Sequence, residues 1–222
     1  MVGTGDGGWA FYHPPASTDS RRVGDGSGGC QRLTGGIMKA KVTGIAFLLI
    51  ACMAAQASKP KEEHRTVTQV LDRTVYNMEQ EFIPAAEAMP EDKFGFAPTN
   101  GEFKGVRTFA QQIKHVAAVN YELGAAILEE KPPMDLNGEA GPASITSKAD
   151  IIKYLKDSFA YVHKAIATIN ETNLVETVRS PFGEGKVSRL GLASSVSWHG
   201  YDHYGQMVEY LRMNGIIPPA SR

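Results

Sequence analysis

The sequence predicts an all-α fold, a four-helix bundle with long connections. Three observations point there. Four stretches place apolar residues at the 3.6-residue helical period. Linkers rich in Pro and Gly separate them, and strand signals are sparse. No internal repeat competes with a bundle.

The first helix is expected from about Glu63 to Ala88, with Val67, Leu71, Thr74/Val75, Met78 and Phe82 as its stripe. Pro84 is placed to bend its last turn and Pro90 to close it. The second is expected from Val106 to Glu130, with Phe109, Ile113, Val116, Asn120, Leu123 and Ile127 facing inward, until "KPP" stops it. The third opens within "SITSKADIIKYL", where Ser147 or Thr146 is the N-cap and Asp150 lies in the first turn. Its stripe is Ile151/Ile152, Leu155, Phe159, Val162, Ile166 and Ile169. The fourth runs from Ser188 to Met213, where Asn214-Gly215 and Pro218-Pro219 end it. In the linker before it, "FGEG" reads as a turn between short extended pieces. The aromatics Phe94, Phe96 and Phe103 of the first linker suit a pocket cap or a dimer interface, and periodicity does not choose.

The first 57 residues differ from the rest. Residues 1–37 hold ten of the 23 glycines and no hydrophobic periodicity, so they read as disordered or as not part of the native protein. From Met38 the pattern changes. Lys39 and Lys41 precede an apolar run from Val42 to Ala55, shorter than the roughly 20 residues that span a bilayer. Ala55-Gln56-Ala57 follows as a small-x-small cleavage site. Residues 38–57 therefore read as a secretory signal peptide, with Met38 as the expected start; a buried helix is the alternative. "LIAC" resembles a bacterial lipobox ending at Cys52, which offers lipidation in place of cleavage after Ala57. Both routes lead out of the cytoplasm, to a bacterial periplasm or cell envelope. A membrane partner is expected only through a lipid on Cys52.

The domain is expected over 58–222. It carries 18 Lys+Arg against 21 Asp+Glu, a net charge of -3, and gives no basic stripe for nucleic acid. The chain's only cysteines are Cys30 and Cys52, so a chain cut after Ala57 has neither a disulfide nor a thiol nucleophile.

What remains for chemistry is histidine. On the fourth helix the inward stripe runs Leu192, Val196, His199, His203, Gln206/Met207 and Tyr210. The spacing of four puts His199 and His203 on one face, one turn apart, as a shared metal requires. Buried imidazoles cost free energy unless their ring nitrogens are satisfied, and a metal ion satisfies them. Gly200 follows His199, so the HExxH zinc-protease pattern is absent. Asp202 lies off that face, where it can still orient a ligand or pair with another helix. On the second helix His115 lies in line with Val119 and Glu122, close enough to the core face to reach across. Two histidines from one helix and one from another give three neutral ligands and an open position, the catalytic form of a metal site. Each also has a bland reading: an i,i+4 histidine pair arises by chance, and His115 alone fits a helix flank. His64 reads as solvated at the first helix's entrance, and His163 as a boundary residue of the third.

The stretches "FAQQIKHVAAVNYELG" and "HGYDHYGQMVEYLRMNGIIPPAS", with "PEDKFGFAPTNGEF" after the first helix, resemble the DinB family of DinB/YfiT-like metalloenzymes over roughly residues 64–222. The resemblance implies a four-helix bundle holding a divalent metal on His115, His199 and His203. Zinc or nickel is the leading expectation, with iron or manganese behind. Many members carry a bulkier, often acidic, residue where this chain has Gly200.

An open three-histidine metal lowers the pKa of a bound water or thiol and delivers the anion to an electrophile. The expected activity is a metal-dependent enzyme, a thiol-dependent transferase or a hydrolase, acting on a small molecule. Glu122 is the candidate base or orienting partner, against the reading of a solvated helix glutamate. Asn120 and Gln206 line the pocket or bond across the bundle. Export weakens the thiol version, because low-molecular-weight thiols are scarce outside the cytoplasm. The alternatives are a non-catalytic metal- or ligand-binding bundle of the cell envelope, and a structural homodimer with vestigial histidines.

Overall fold

The computed structural model describes residues 64–222. The segments read as 1–37 and as a signal peptide over 38–57, with its alternative end at Cys52, lie outside the described residues. Four helices form: α1 (Val67–Ala88), α2 (Phe109–Leu128), α3 (Lys148–Ile166) and α4 (Arg189–Met213). A two-stranded antiparallel hairpin, β1 (Thr177–Arg179) and β2 (Lys186–Ser188), precedes α4. The "FGEG" turn is the tip of this hairpin. Among the described residues no helix is long and apolar enough to cross a membrane.

Helix starts follow capping chemistry more closely than apolar periodicity. α1 begins four residues later than expected because Thr66 and Gln69 form a reciprocal capping box. α2 begins three residues late for the same reason, with Thr108 and Gln111. Ser147 is the cap of α3, and its hydroxyl accepts from the Asp150 amide. Pro84 lies inside α1 without ending it. Gly215 takes φ +73 after α4, a conformation that suits a residue without Cβ.

The stripes meet in one core, with Phe82, Phe109, Phe159, Met78, Ile113 and Leu155 among its fully buried side chains. Each such side chain contributes roughly 1.5–3 kcal/mol relative to exposure. Phe94 of the first linker joins this core and meets Phe109 edge-on at 5.6 Å. Phe96 meets Tyr210 at 5.5 Å, while Phe103 stays exposed. The linker also serves α2 directly: the Phe109 and Ala110 amides donate to the Phe96 and Phe94 carbonyls. First-turn amides of a helix lack partners within it, and here the aromatic linker supplies two.

Contacts between the helices fix their directions. α2 and α4 are antiparallel: Arg189 Nε donates to the Ile127 carbonyl at one end, and Tyr210 Oη to the Arg107 carbonyl at the other. α1 and α4 are parallel, with Met78 beside Gly200 and Phe82 beside Tyr204. α1 and α3 are antiparallel, joined by Thr68 to the Ile169 carbonyl and by Lys148 to the Met89 carbonyl. α2 and α3 are parallel, with Asn120 bonded to Ser158 and Gly124 against Tyr161. The connection from α2 to α3 must therefore travel back along α2, and residues 129–147 do so. On the way Lys114 Nζ donates to the Pro142 carbonyl.

Gly200 has a packing reason. A Cβ built there would lie 2.5 Å from Sδ of Met78, a side chain with no solvent exposure. The absence of a side chain lets α1 approach α4 beside His199. We expect Gly200→Val to lower stability by about 1–3 kcal/mol through overpacking. In denaturant titrations Gly200→Val with Met78→Ala should cost less than the sum of the single changes; strict additivity would show that the two positions do not compete for space.

Candidate metal centre

Three side chains from two helices converge between α2 and α4. His115, His199 and His203 are all buried, and each offers a ring nitrogen such that the three atoms lie within 4.8 Å of one another. The antiparallel crossing creates this: α2 descends past Gln112 and His115 as α4 rises past His199 and His203. Nε2 of His115 lies 3.2 Å from Nε2 of His199. The ring centroids are 4.6–5.1 Å apart.

Hydrogen bonds fix two of the rings. Nδ1 of His115 lies 3.0 Å from the Glu139 carbonyl oxygen, which can only accept, so Nδ1 carries the proton. The Glu139 carboxylate stands 3.7 Å from the same nitrogen. Nδ1 of His203 donates to Oε1 of Gln112 at 2.6 Å. Both rings, when neutral, therefore turn an Nε2 lone pair into the cluster, where that of His115 lies within hydrogen-bond distance of His199 Nε2. His199 differs, because its Nδ1 is buried with no hydrogen-bond partner among the described residues.

The site also keeps the rings neutral. Burial pushes the His199 pKa down to about 3, helped by His115 and the Arg107 guanidinium. Burial does the same for His203, to about 3, with His199, His115 and Arg107 adding to it. His115 is lowered by burial and Arg107, partly offset by its bonds and charge interaction with Glu139. Neutral imidazoles with exposed lone pairs are what a divalent ion needs. Two nitrogens on a tetrahedral ion with bonds of roughly 2.0–2.1 Å stand about 3.3 Å apart, close to the His115–His199 spacing. The all-imidazole donor set fits a divalent transition metal. The fit rests on neutral tautomers, burial and convergence together.

The other sequence candidates separate. Glu122 is two turns beyond His115 on the same face, partly buried, and lines a groove of about 1030 Å³ with Ala125, Ala126, Glu129, Arg179 and Ser180. No histidine lines that groove. Burial and the Glu139 carboxylate raise the Glu122 pKa to about 7, and Glu139 is also the residue that touches His115. Asn120 bonds Ser158 across α2 and α3, within the core. Gln206 bonds Gln112, next to His203. His163 takes the structural role: it bridges Asp72 at 2.6 Å and Glu79 at 3.3 Å, tying α3 to α1. Sequence reasoning missed Gln112 and Glu139. Gln112 carried a signal, as a polar residue one turn before His115 on the inward side. Glu139 carried none, because it sits on an aperiodic crossover.

The sequence profile of the DinB superfamily matches residues 74–207, a span that contains all three histidines. No curated protein matches the chain. Solved structures share its fold. A conserved protein from Enterococcus faecalis is 17% identical, with TM-score 0.54 over 68% of this chain and 98% of its own. A DinB-like protein from Bacillus cereus is 12% identical, with TM-score 0.55 over 69% of this chain and 96% of its own. YfiT from Bacillus subtilis, described as "a probable metal-dependent hydrolase with an unusual four-helix bundle topology", is 15% identical, with TM-score 0.50 over 71% and 94%.

The pKa shifts predict opposite pH effects in metal-free protein. The lowered histidines stabilise the fold above the unfolded value of 6.5, and that contribution is lost as pH falls below it. The loss is roughly 2–3 kcal/mol per histidine over two pH units. Glu122 acts the other way. Its raised pKa stabilises below 4.5, and the contribution is lost as pH rises from 4.5 to about 7. Between pH 7 and 4.5, His199→Ala/His203→Ala should flatten the acid loss of stability, and Glu122→Gln should steepen it. Urea midpoints of the three proteins across that range check both signs.

Proposed function

The chain belongs to the DinB superfamily, and we propose that it is a metal-dependent hydrolase of small molecules holding a divalent ion on His115, His199 and His203. One observation carries the reading: three buried, neutral imidazoles converge with two of their tautomers fixed to present Nε2. Three ligands leave a position open, as in catalytic rather than structural zinc sites. A metal bound there acts as a Lewis acid and lowers the pKa of a bound water. The protein supplies the rest. Burial excludes bulk water, the Glu139 carbonyl orients His115, and Gln112 orients His203.

Glu122 is the proposed proton acceptor at one remove: it lies two turns from His115 and is coupled to the site through the Glu139 carboxylate rather than by touching the reacting atoms. At a pKa of about 7 it is divided between its two protonation states at neutral pH, which suits taking up and returning a proton. Hydrolysis is preferred to thiol transfer because the signal-peptide pattern read in residues 38–57 supports a place outside the cytoplasm, in the periplasm or cell envelope. A non-catalytic metal-binding role makes the same demands on the three histidines but none on Glu122.

The test is metal content and activity. Purified without a histidine tag and loaded with zinc or nickel, the protein should carry one ion per chain. His199→Ala/His203→Ala should lose it, with affinity reduced at least about 100-fold. Equal metal in the two proteins would defeat the proposal. Against a panel of small esters and amides, chelation should abolish hydrolysis, and Glu122→Gln should lower kcat about 100-fold or more while retaining the metal. Metal-loaded protein inert to the whole panel would favour the binding role.

A further inference from the structure

Three hydrogen bonds run from His203 to the protein surface. Nδ1 of His203 donates to Oε1 of Gln112 at 2.6 Å. Nε2 of Gln112 donates to Oε1 of Gln206 at 2.7 Å. Nε2 of Gln206 donates to Oδ2 of Asp202 at 3.2 Å, one turn back on α4. Gln112 is 1% exposed, Gln206 partly buried and Asp202 exposed, so the chain crosses from the core to solvent.

The direction of this chain is set at its outer end. An ionised carboxylate only accepts hydrogen bonds, so Gln206 must turn its NH₂ toward Asp202 and its carbonyl toward Gln112. Gln112 must then turn its NH₂ toward Gln206, which leaves its carbonyl facing His203. A carbonyl facing Nδ1 requires the proton on that nitrogen. The lone pair of the neutral ring then lies on Nε2. With every amide reversed, an NH₂ would face Nδ1, the proton would move to Nε2, and the metal-facing nitrogen would be blocked.

We propose that Asp202, Gln206 and Gln112 form a polarised amide relay that sets the tautomer of His203 and so prepares Nε2 as a metal ligand. All three are positioning residues, acting through His203. The inference rests on the metal reading above for its purpose, though the tautomer itself is a property of the metal-free protein. His115 is set by a backbone carbonyl, which no side-chain substitution removes. His203 is the ring whose Nδ1 is held by a side chain, Gln112, and a surface residue therefore reaches the site. Outer partners of ligating histidines commonly change metal affinity by about 10- to 100-fold.

Long-range proton–nitrogen correlation spectra of the metal-free protein at pH 7.5 identify which ring nitrogen of His203 is protonated. Wild type should show Nδ1–H. Gln112→Leu should yield a mixture of tautomers, and Gln112→Glu, which keeps an acceptor, should restore Nδ1–H. Asp202→Lys places a donor at the relay's outer end and should shift the population toward Nε2–H without disturbing the core. Cobalt(II) affinity should fall about 10- to 100-fold in Gln112→Leu and about 2- to 10-fold in Asp202→Lys, and recover in Gln112→Glu. The relay is overturned if wild-type His203 carries its proton on Nε2. It is equally overturned if Nδ1–H persists unchanged in Asp202→Lys, a surface change that leaves folding intact. Failure of wild type to bind cobalt or zinc would instead defeat the metal reading, and the spectra would still decide the tautomer.

Discussion

The structure turns on the contact between α2 and α4 at the level of three imidazoles. Nε2 of His115 and Nε2 of His199 stand 3.2 Å apart, with His203 one turn along, in a place where solvent scarcely reaches. Charge there is costly. Pushing the His199 and His203 pKa values from 6.5 to about 3 corresponds to several kcal/mol against each imidazolium. Neutral rings escape that cost but leave lone pairs that the apolar core cannot satisfy. The surrounding structure answers only part of this demand: Nδ1 of His115 and of His203 is bonded outward, while the Nε2 atoms of His115 and His199 face each other inside the cluster.

The bundle's topology supports that arrangement. α2 and α3 run parallel, so the chain between them has to retrace the length of α2. An ordinary short hairpin would leave the outer side of His115 bare. The crossover instead brings the Glu139 carbonyl onto Nδ1 and the Pro142 carbonyl onto Lys114. Tight packing on the far side of α4, where Gly200 admits Met78, sets how closely the helix that carries His199 and His203 lies against α1. The long connections, which look like a weakness of a four-helix design, supply the partners that short ones could not.

Much of this was legible in the sequence. The inward stripes of all four helices, the Ser147 cap, the stop after Met213 and the hairpin turn follow from apolar period and turn chemistry. The His199/His203 pair was readable because its polarity interrupts a buried stripe, and His115 because it sits near one. The caps Thr66 and Thr108 were written as Thr-x-x-Gln, but the helix-compatible Glu63–Arg65 upstream of the first and the apolar Val106 upstream of the second masked them. Phe94 and Phe96 were ambiguous because a linker has no period, and only the fold places their carbonyls on the α2 amides. Glu139 was beyond reach for the same reason. Gly200 reads in sequence as a missing functional residue, but the space its side chain would take belongs to Met78.

X-ray absorption at the metal edge, on protein loaded with one equivalent of zinc or nickel, measures the central claim at the atoms concerned. Three imidazole ligands should give the multiple-scattering pattern of histidine, with nitrogen at roughly 2.0–2.1 Å for zinc. A first shell made of oxygen alone, or with fewer than two imidazoles, would contradict the assignment of His115, His199 and His203 as the metal centre.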